Sequence, residues 1–96
     1  MKQGFVYIMT NKYNTTFYTG VTSNLIRRSY DHKSGKGSIF TIKYNLHKLV
    51  YYESYNSIKQ AIIREKQIKD MNRQDKIEMI NYFNPEFKDL YQKIIQ

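Results

Sequence analysis

Cysteine is absent from the 96 residues, which excludes both a disulfide framework and a thiolate metal site. Proline occurs once, as Pro85, and neither a repeat nor a low-complexity tract interrupts the chain. No stretch has the composition of a linker, so one folding unit over residues 1–96 is expected. Long apolar runs are missing too. Phe5 to Met9 is too short for a signal segment, and nothing approaches the ~18 apolar residues of a membrane span. A soluble cytoplasmic protein without a membrane partner is the expectation. Acidic side chains are scarce, eight against sixteen Lys and Arg, for a formal net charge of +8. An excess of that size on so short a chain suits a polyanion such as DNA, which releases counterions on meeting a basic surface. Lysines that merely maintain solubility are the alternative.

Apolar residues (41%) and charged residues (25%) are present in ordinary globular proportions, so a packed core is expected. Residues 5–9, "FVYIM", and 17–21, "FYTGV", are rich in β-branched and aromatic side chains. The polar "TNKYNTT" between them predicts a hairpin. Thr22 or Ser23 can cap a short helix through "NLIRRSYDHK", which "SGKGS" at 34–38 ends in a basic, flexible loop. "HKLVYYES" at 47–54 predicts a third strand, and Asn56 or Ser57 caps a helix through "SIKQAIIREKQIKDM". Asn72 begins another helix, ending near Phe83. Phe87, Leu90, Tyr91 and Ile94 fall at helical spacing and predict a final amphipathic helix. The order β-β-α-β-α-α with a C-terminal helix indicates a small α+β fold, a three-stranded antiparallel sheet flanked by helices.

Three constellations carry chemistry. On a wheel of about 100° per residue, Ile58, Ala61, Ile62 and Ile68 form one stripe with Glu65 in its middle. Either Glu65 snorkels at the stripe's edge or pairs with a buried Arg, or it is a hard oxygen ligand suited to a divalent cation. In the first helix, Leu25, Ile26 and Tyr30 are expected inside, Arg27 and Asp31 outside, and Arg28 and His32 together on a bordering face. A guanidinium that forks onto phosphate oxygens beside an imidazole that relays a proton suits phosphate chemistry; two solvated side chains are the plainer reading. Tyr7 and Tyr18 stand out among ten tyrosines because they lie on neighbouring strands with Gly20 close by. A glycine there either clears space for a ligand or marks a bulge.

"FVY" and "YTG" resemble the two halves of the GIY-YIG nuclease motif. Arg28 follows Gly20 by eight residues, as the family's arginine does; His32 matches the accompanying His or Tyr, and Glu65 in "AIIREKQIK" matches the metal-binding glutamate. Asn84 in "NPEFKDL" is the preferred match to a later asparagine, ahead of Asn81 and Asn72. Phe5 replaces the first motif glycine. The resemblance spans roughly residues 4–90 and is closest to small standalone bacterial members.

What the resemblance implies is an endonuclease acting on DNA, in repair or processing of branched or damaged strands. Tyr7 or its hydrogen-bonded network would activate water, with Tyr18 beside it. Arg28 would stabilise charge developing on phosphorus, His32 would relay a proton, and Glu65 would hold Mg²⁺ or Mn²⁺. Gly20, Arg27, Lys33, Lys36 and Asn84 are the candidate substrate contacts. A nucleic-acid-binding module without catalysis is the rival reading, and an adaptor using its last helix is a third.

Overall fold

The computed structural model describes residues 3–96. Strands β1 (Gly4–Thr10), β2 (Phe17–Thr22) and β3 (Lys48–Tyr55) form one antiparallel sheet in the order β2-β1-β3. Helix α1 (Leu25–Lys33) follows the hairpin, a short α2 (Ile39–Lys43) precedes β3, and α3 (Ile58–Asp70), α4 (Arg73–Phe83) and a single turn α5 (Tyr91–Ile94) complete the chain. No helix is long and apolar enough to cross a membrane among the described residues.

Because side chains alternate along a strand, the middle strand supplies two interiors at once. Val6 and Ile8 join Ala61 and Ile68 of α3 and Ile80 of α4 on one face, while Tyr7 and Met9 join Leu25 of α1, Leu46 and Leu49 on the other. A bulge opposite Ile8 and Met9 turns both Val50 and Tyr51 of β3 toward the α3 side. Gly4 lets α3 lie directly on β1: a Cβ there would meet Ser57 O at 2.7 Å and the Ala61 Cβ at 2.9 Å.

Each of the first four helices starts on a side-chain cap: Asn24 accepts from Arg27 N, Ser38 from Thr41 N, Ser57 from Gln60 N and Asn72 from Asp75 N. Thr22 and Ser23 are not the cap of α1. Thr22 is the last residue of β2, and its hydroxyl instead receives Asn24 N. Helix α1 is also rotated from the expected wheel. Leu25, Ser29 and His32 are buried, whereas Ile26 and Tyr30 are about half exposed. The inner face is chosen by what lies beneath it, where Tyr7 brings a hydroxyl that needs a polar partner. On α3 the expected alignment holds for Ala61, Glu65 and Ile68, but Ile62 turns outward.

The amphipathic helix expected from Phe87 shortens to one turn. Phe87 sits in the left-handed region (φ 49°), which breaks helical continuity. Phe87 then packs on the α3 face, whereas Leu90 and Ile94 pack on the α1 face. Apolar residues that look like one stripe are therefore divided between the two cores as the chain wraps the edge of β3. Leu90 N donates to Leu49 O at 2.7 Å, and Leu49 N donates to Asp89 Oδ1 at 3.2 Å.

The β1–α3 approach yields a stability prediction. Gly4→Ala forces backbone against backbone, so the urea midpoint falls by an amount equivalent to about 1–3 kcal/mol. An unchanged midpoint would show that the sheet and α3 separate freely.

Candidate active site

Tyr7 lies mid-strand, paired with Gly20 of β2 and Tyr52 of β3. The space above Gly20 is filled by Tyr7 itself: a Cβ on Gly20 would sit 2.5 Å from both Cζ and the hydroxyl. The room that this glycine leaves therefore serves the tyrosine ring, correcting the expectation that it admits a phosphate.

The Tyr7 hydroxyl lies 2.9 Å from His32 Nε2, and both residues are buried. The other ring nitrogen, Nδ1, is 3.2 Å from Thr41 Oγ1. Tyr18 packs against both rings, with centroids 6.4 Å from Tyr7 and 5.8 Å from His32, and on its outer side meets Phe40 of α2 at 6.1 Å. Burial drives the Tyr7 phenol well above its ordinary range, and neighbouring Tyr18 adds to this; Arg28 pulls it down and Glu65 pushes it up. Arg28 and Glu65 thus both lie within electrostatic reach of the hydroxyl. Burial and then Arg28 lower His32 to about 4, against a smaller opposing effect of Asp31. At neutral pH the pair is a protonated phenol facing an uncharged imidazole.

Arg28 is exposed one turn before His32, at the rim. Arg27 points outward and forms a 3.5 Å ion pair with Asp31. Lys36 is exposed in the loop after α1. Lys33 turns away from Tyr7. Its ammonium is bound to Asp89 and reaches His47 O at 3.4 Å, in the wall of a concavity of about 490 Å³ that includes neither Tyr7, Arg28 nor Glu65. Asn84 does not join the site either. Its amide donates to Val50 O (3.1 Å) and Lys88 O (2.8 Å) and accepts from Lys88 N (3.2 Å), which holds the C-terminal segment against β3. With its polar atoms engaged by backbone, it serves the fold. Asn72 is likewise occupied as the α4 cap, and Asn81 is exposed.

Two carboxylates on the α3 side show which can accept a ligand. Glu53 receives a forked Arg64 guanidinium (Nε 3.0 Å, Nη2 3.2 Å) and the hydroxyls of Tyr51 and Tyr55. Burial alone would raise it, but these hydrogen bonds hold it below the usual carboxylate range, so it is saturated. Among the described residues Glu65 has a single ion pair, 3.5 Å to Lys69, with 15% of its side chain exposed. No cluster of three or more His, Cys, Asp or Glu exists among the described residues. A lone, lightly engaged carboxylate fits a hard cation that retains waters and takes phosphate oxygens as its remaining ligands.

Thr41 and Gly37 belong to this site and were not anticipated from the sequence. A Cβ on Gly37 would stand 2.2 Å from His32 Nδ1 and 2.5 Å from Thr41 Oγ1. The available signal was Ser38 directly before "IFTIK", an N-cap ahead of an apolar run.

A family profile described as the GIY-YIG catalytic domain matches residues 3–78. A UPF0213 protein of Staphylococcus haemolyticus is 40% identical over 80 residues, covering 83% of this chain and 96% of that protein. Another, from Syntrophus aciditrophicus, is 39% identical over 87 residues, covering 90% and 98%. The solution NMR structure of a UPF0213 protein of Bacillus halodurans superposes with a TM-score of 0.53 at 30% identity, covering 83% of this chain and 84% of that one.

The neutral, buried His32 makes stability depend on pH. Between about 4 and its ordinary value of 6.5 the unfolded chain binds a proton that the folded chain does not. Stability is therefore fully present above pH 6.5 and falls as pH drops toward 4, by up to about 3 kcal/mol. Urea unfolding from pH 7 to 4.5 should show this loss, and His32→Gln should flatten its upper part, between about pH 6.5 and 5. An identical pH profile in that variant would contradict the neutral histidine.

Proposed function

This chain belongs to the GIY-YIG family, and from that premise we propose that it is a divalent-metal-dependent endonuclease that hydrolyses phosphodiester bonds in DNA during repair or processing of branched or damaged strands. The family is one of nucleases that generally depend on a divalent metal. The observation that carries the reading is the buried Tyr7–His32 hydrogen bond, with Arg28 exposed one turn before His32 on the same helix.

Tyr7 retains its own proton at neutral pH, so it can accept one from water only by passing its own to another base. His32 Nε2, 2.9 Å away, is that base. The balanced step moves a proton from the attacking water to Tyr7 Oη and the tyrosine proton to His32 Nε2. The resulting hydroxide forms the new bond to phosphorus as the bond to the departing sugar oxygen breaks. Arg28 neutralises charge gathering on the phosphate oxygens. Its second effect concerns His32, whose basicity it suppresses in the free protein. A phosphate paired with Arg28 relieves that suppression, so the proton acceptor strengthens when substrate is present. Glu65 would hold a divalent cation, which would supply positive charge near the phosphate oxygens. The excess of basic residues supports DNA as the polyanion.

The decisive experiment incubates the protein with nicked, branched and single-stranded DNAs in Mg²⁺ or Mn²⁺. Cleavage by the natural protein, reduced by roughly 10²- to 10⁴-fold in Tyr7→Phe with DNA binding retained, is expected. Salt-dependent binding without cleavage of any substrate would leave the non-catalytic module in its place.

The two arginines and Glu65 sharpen this. Arg28→Ala abolishes cleavage with little loss of affinity, whereas Arg27→Ala mainly weakens binding. Glu65→Gln removes metal-dependent cleavage while shifting stability by less than about 0.5 kcal/mol, because its partner is a solvent-exposed helix neighbour. A large fall in melting temperature for Glu65→Gln would make it a structural ion-pair residue.

A further inference from the structure

Helix α2 carries an exposed apolar surface, with Ile39 87% exposed, yet buries Thr41 almost completely. On this five-residue helix the one buried residue is a polar one, and its hydroxyl meets an imidazole. We propose that Thr41 is a positioning residue that fixes His32 as the Nδ1–H tautomer, so that Nε2 presents a lone pair to the Tyr7 hydroxyl. This rests on the nuclease reading above for its catalytic consequence, although not for its structural content.

Proton bookkeeping around the Thr41 hydroxyl supports the assignment. Ser38 O, 3.0 Å away, is an acceptor for its single proton and also receives Ile42 N at 3.0 Å. Ser38 Oγ already accepts from Thr41 N as the helix cap, and its own proton points to Thr41 Oγ1 at 3.2 Å. Thr41 Oγ1 has one further lone pair, and His32 Nδ1 lies 3.2 Å from it. The arrangement that gives the buried Tyr7 hydroxyl an acceptor has Nε2 bare and the proton on Nδ1, which Thr41 Oγ1 accepts while its own proton goes to Ser38 O. The reverse tautomer would place two N–H and O–H donors of His32 and Tyr7 in competition for the 2.9 Å contact, or turn the buried phenol proton away from it. Gly37 makes the arrangement possible, since any side chain there would separate His32 from Thr41. In the hydrolytic step the same contact holds the imidazolium after Nε2 is protonated, with Thr41 Oγ1 accepting from Nδ1–H throughout. An imidazole in the other tautomer has no lone pair to offer Tyr7, and the relay stops.

The test begins with long-range ¹H–¹⁵N correlation of the His32 ring in the natural protein at neutral pH. A protonated Nδ1 with an unprotonated Nε2 is expected, and the opposite pattern overturns the proposal whatever the activity. Thr41→Val keeps the shape but removes the acceptor. It should convert His32 wholly or partly to the Nε2–H form and lower kcat by roughly 10- to 100-fold, with KM for DNA changed less than about two-fold. Thr41→Ser should restore both tautomer and rate. An unchanged tautomer in Thr41→Val overturns the assignment. If that variant does not fold, Gly37→Ala, which wedges the same contact, should produce the same ring change, and a native tautomer there counts against the idea. Should no DNA be cleaved by the natural protein, the nuclease reading fails while the ring spectrum still decides the role of Thr41.

Discussion

The middle strand β1 has no face to offer to solvent. Val6, Ile8 and Met9 meet that condition by being apolar, but Tyr7 brings a hydroxyl into the same interior. A buried hydroxyl without a partner costs about 1–3 kcal/mol, so something from outside the sheet must reach it. His32 does, and several local features follow: the rotation of α1, the glycine at position 20, the loop through Gly37, and the inward turn of Thr41. A chemically capable pair is in this sense the fold's own solution to burying a phenol in a central strand.

Around that pair, charge is distributed unequally. Arg28 on α1 and Glu65 on α3 bias the Tyr7 hydroxyl electrostatically in opposite directions. Among the described residues neither is locked in a saturated network, unlike Glu53, which has four donors from Arg64, Tyr51 and Tyr55. Saturation stabilises a fold, whereas incomplete saturation leaves room for a phosphate or a cation. The two glutamates illustrate how the same residue type divides between architecture and chemistry according to how many donors surround it.

The strands and the two long helices were legible because period and cap agree: alternating aromatic and β-branched runs for β1 to β3, Ser57 and Asn72 before α3 and α4. Tyr7, Arg28, His32 and Glu65 were drawn into one group by the family resemblance, and of these the structure shows the Tyr7–His32 hydrogen bond directly. What escaped depends on contacts that no spacing encodes. Five residues of α2 give too little periodicity to register, and Thr41 is defined by the ring it faces. Ile26 and Tyr30 suggested an inner face that a buried polar contact on the other side overruled. Gly20 was read for its residue type and Asn84 as a match to the family's asparagine; the neighbour that fills each one's surroundings, Tyr7 in one case and backbone groups in the other, is a tertiary fact.

The C-terminal wrap has a bearing on solubility. In a three-stranded sheet both outer strands present unpaired backbone groups, and a bare edge is a template for pairing with another chain. Near the start of β3, Leu49 N, Leu49 O and Val50 O are engaged by Asp89, Leu90 and Asn84. The segment from Asn84 onward therefore acts as a built-in guard against strand addition from a second molecule. It does so without extending the sheet, using two side chains and a single main-chain hydrogen bond, so the shield itself offers no new edge for a further chain to join.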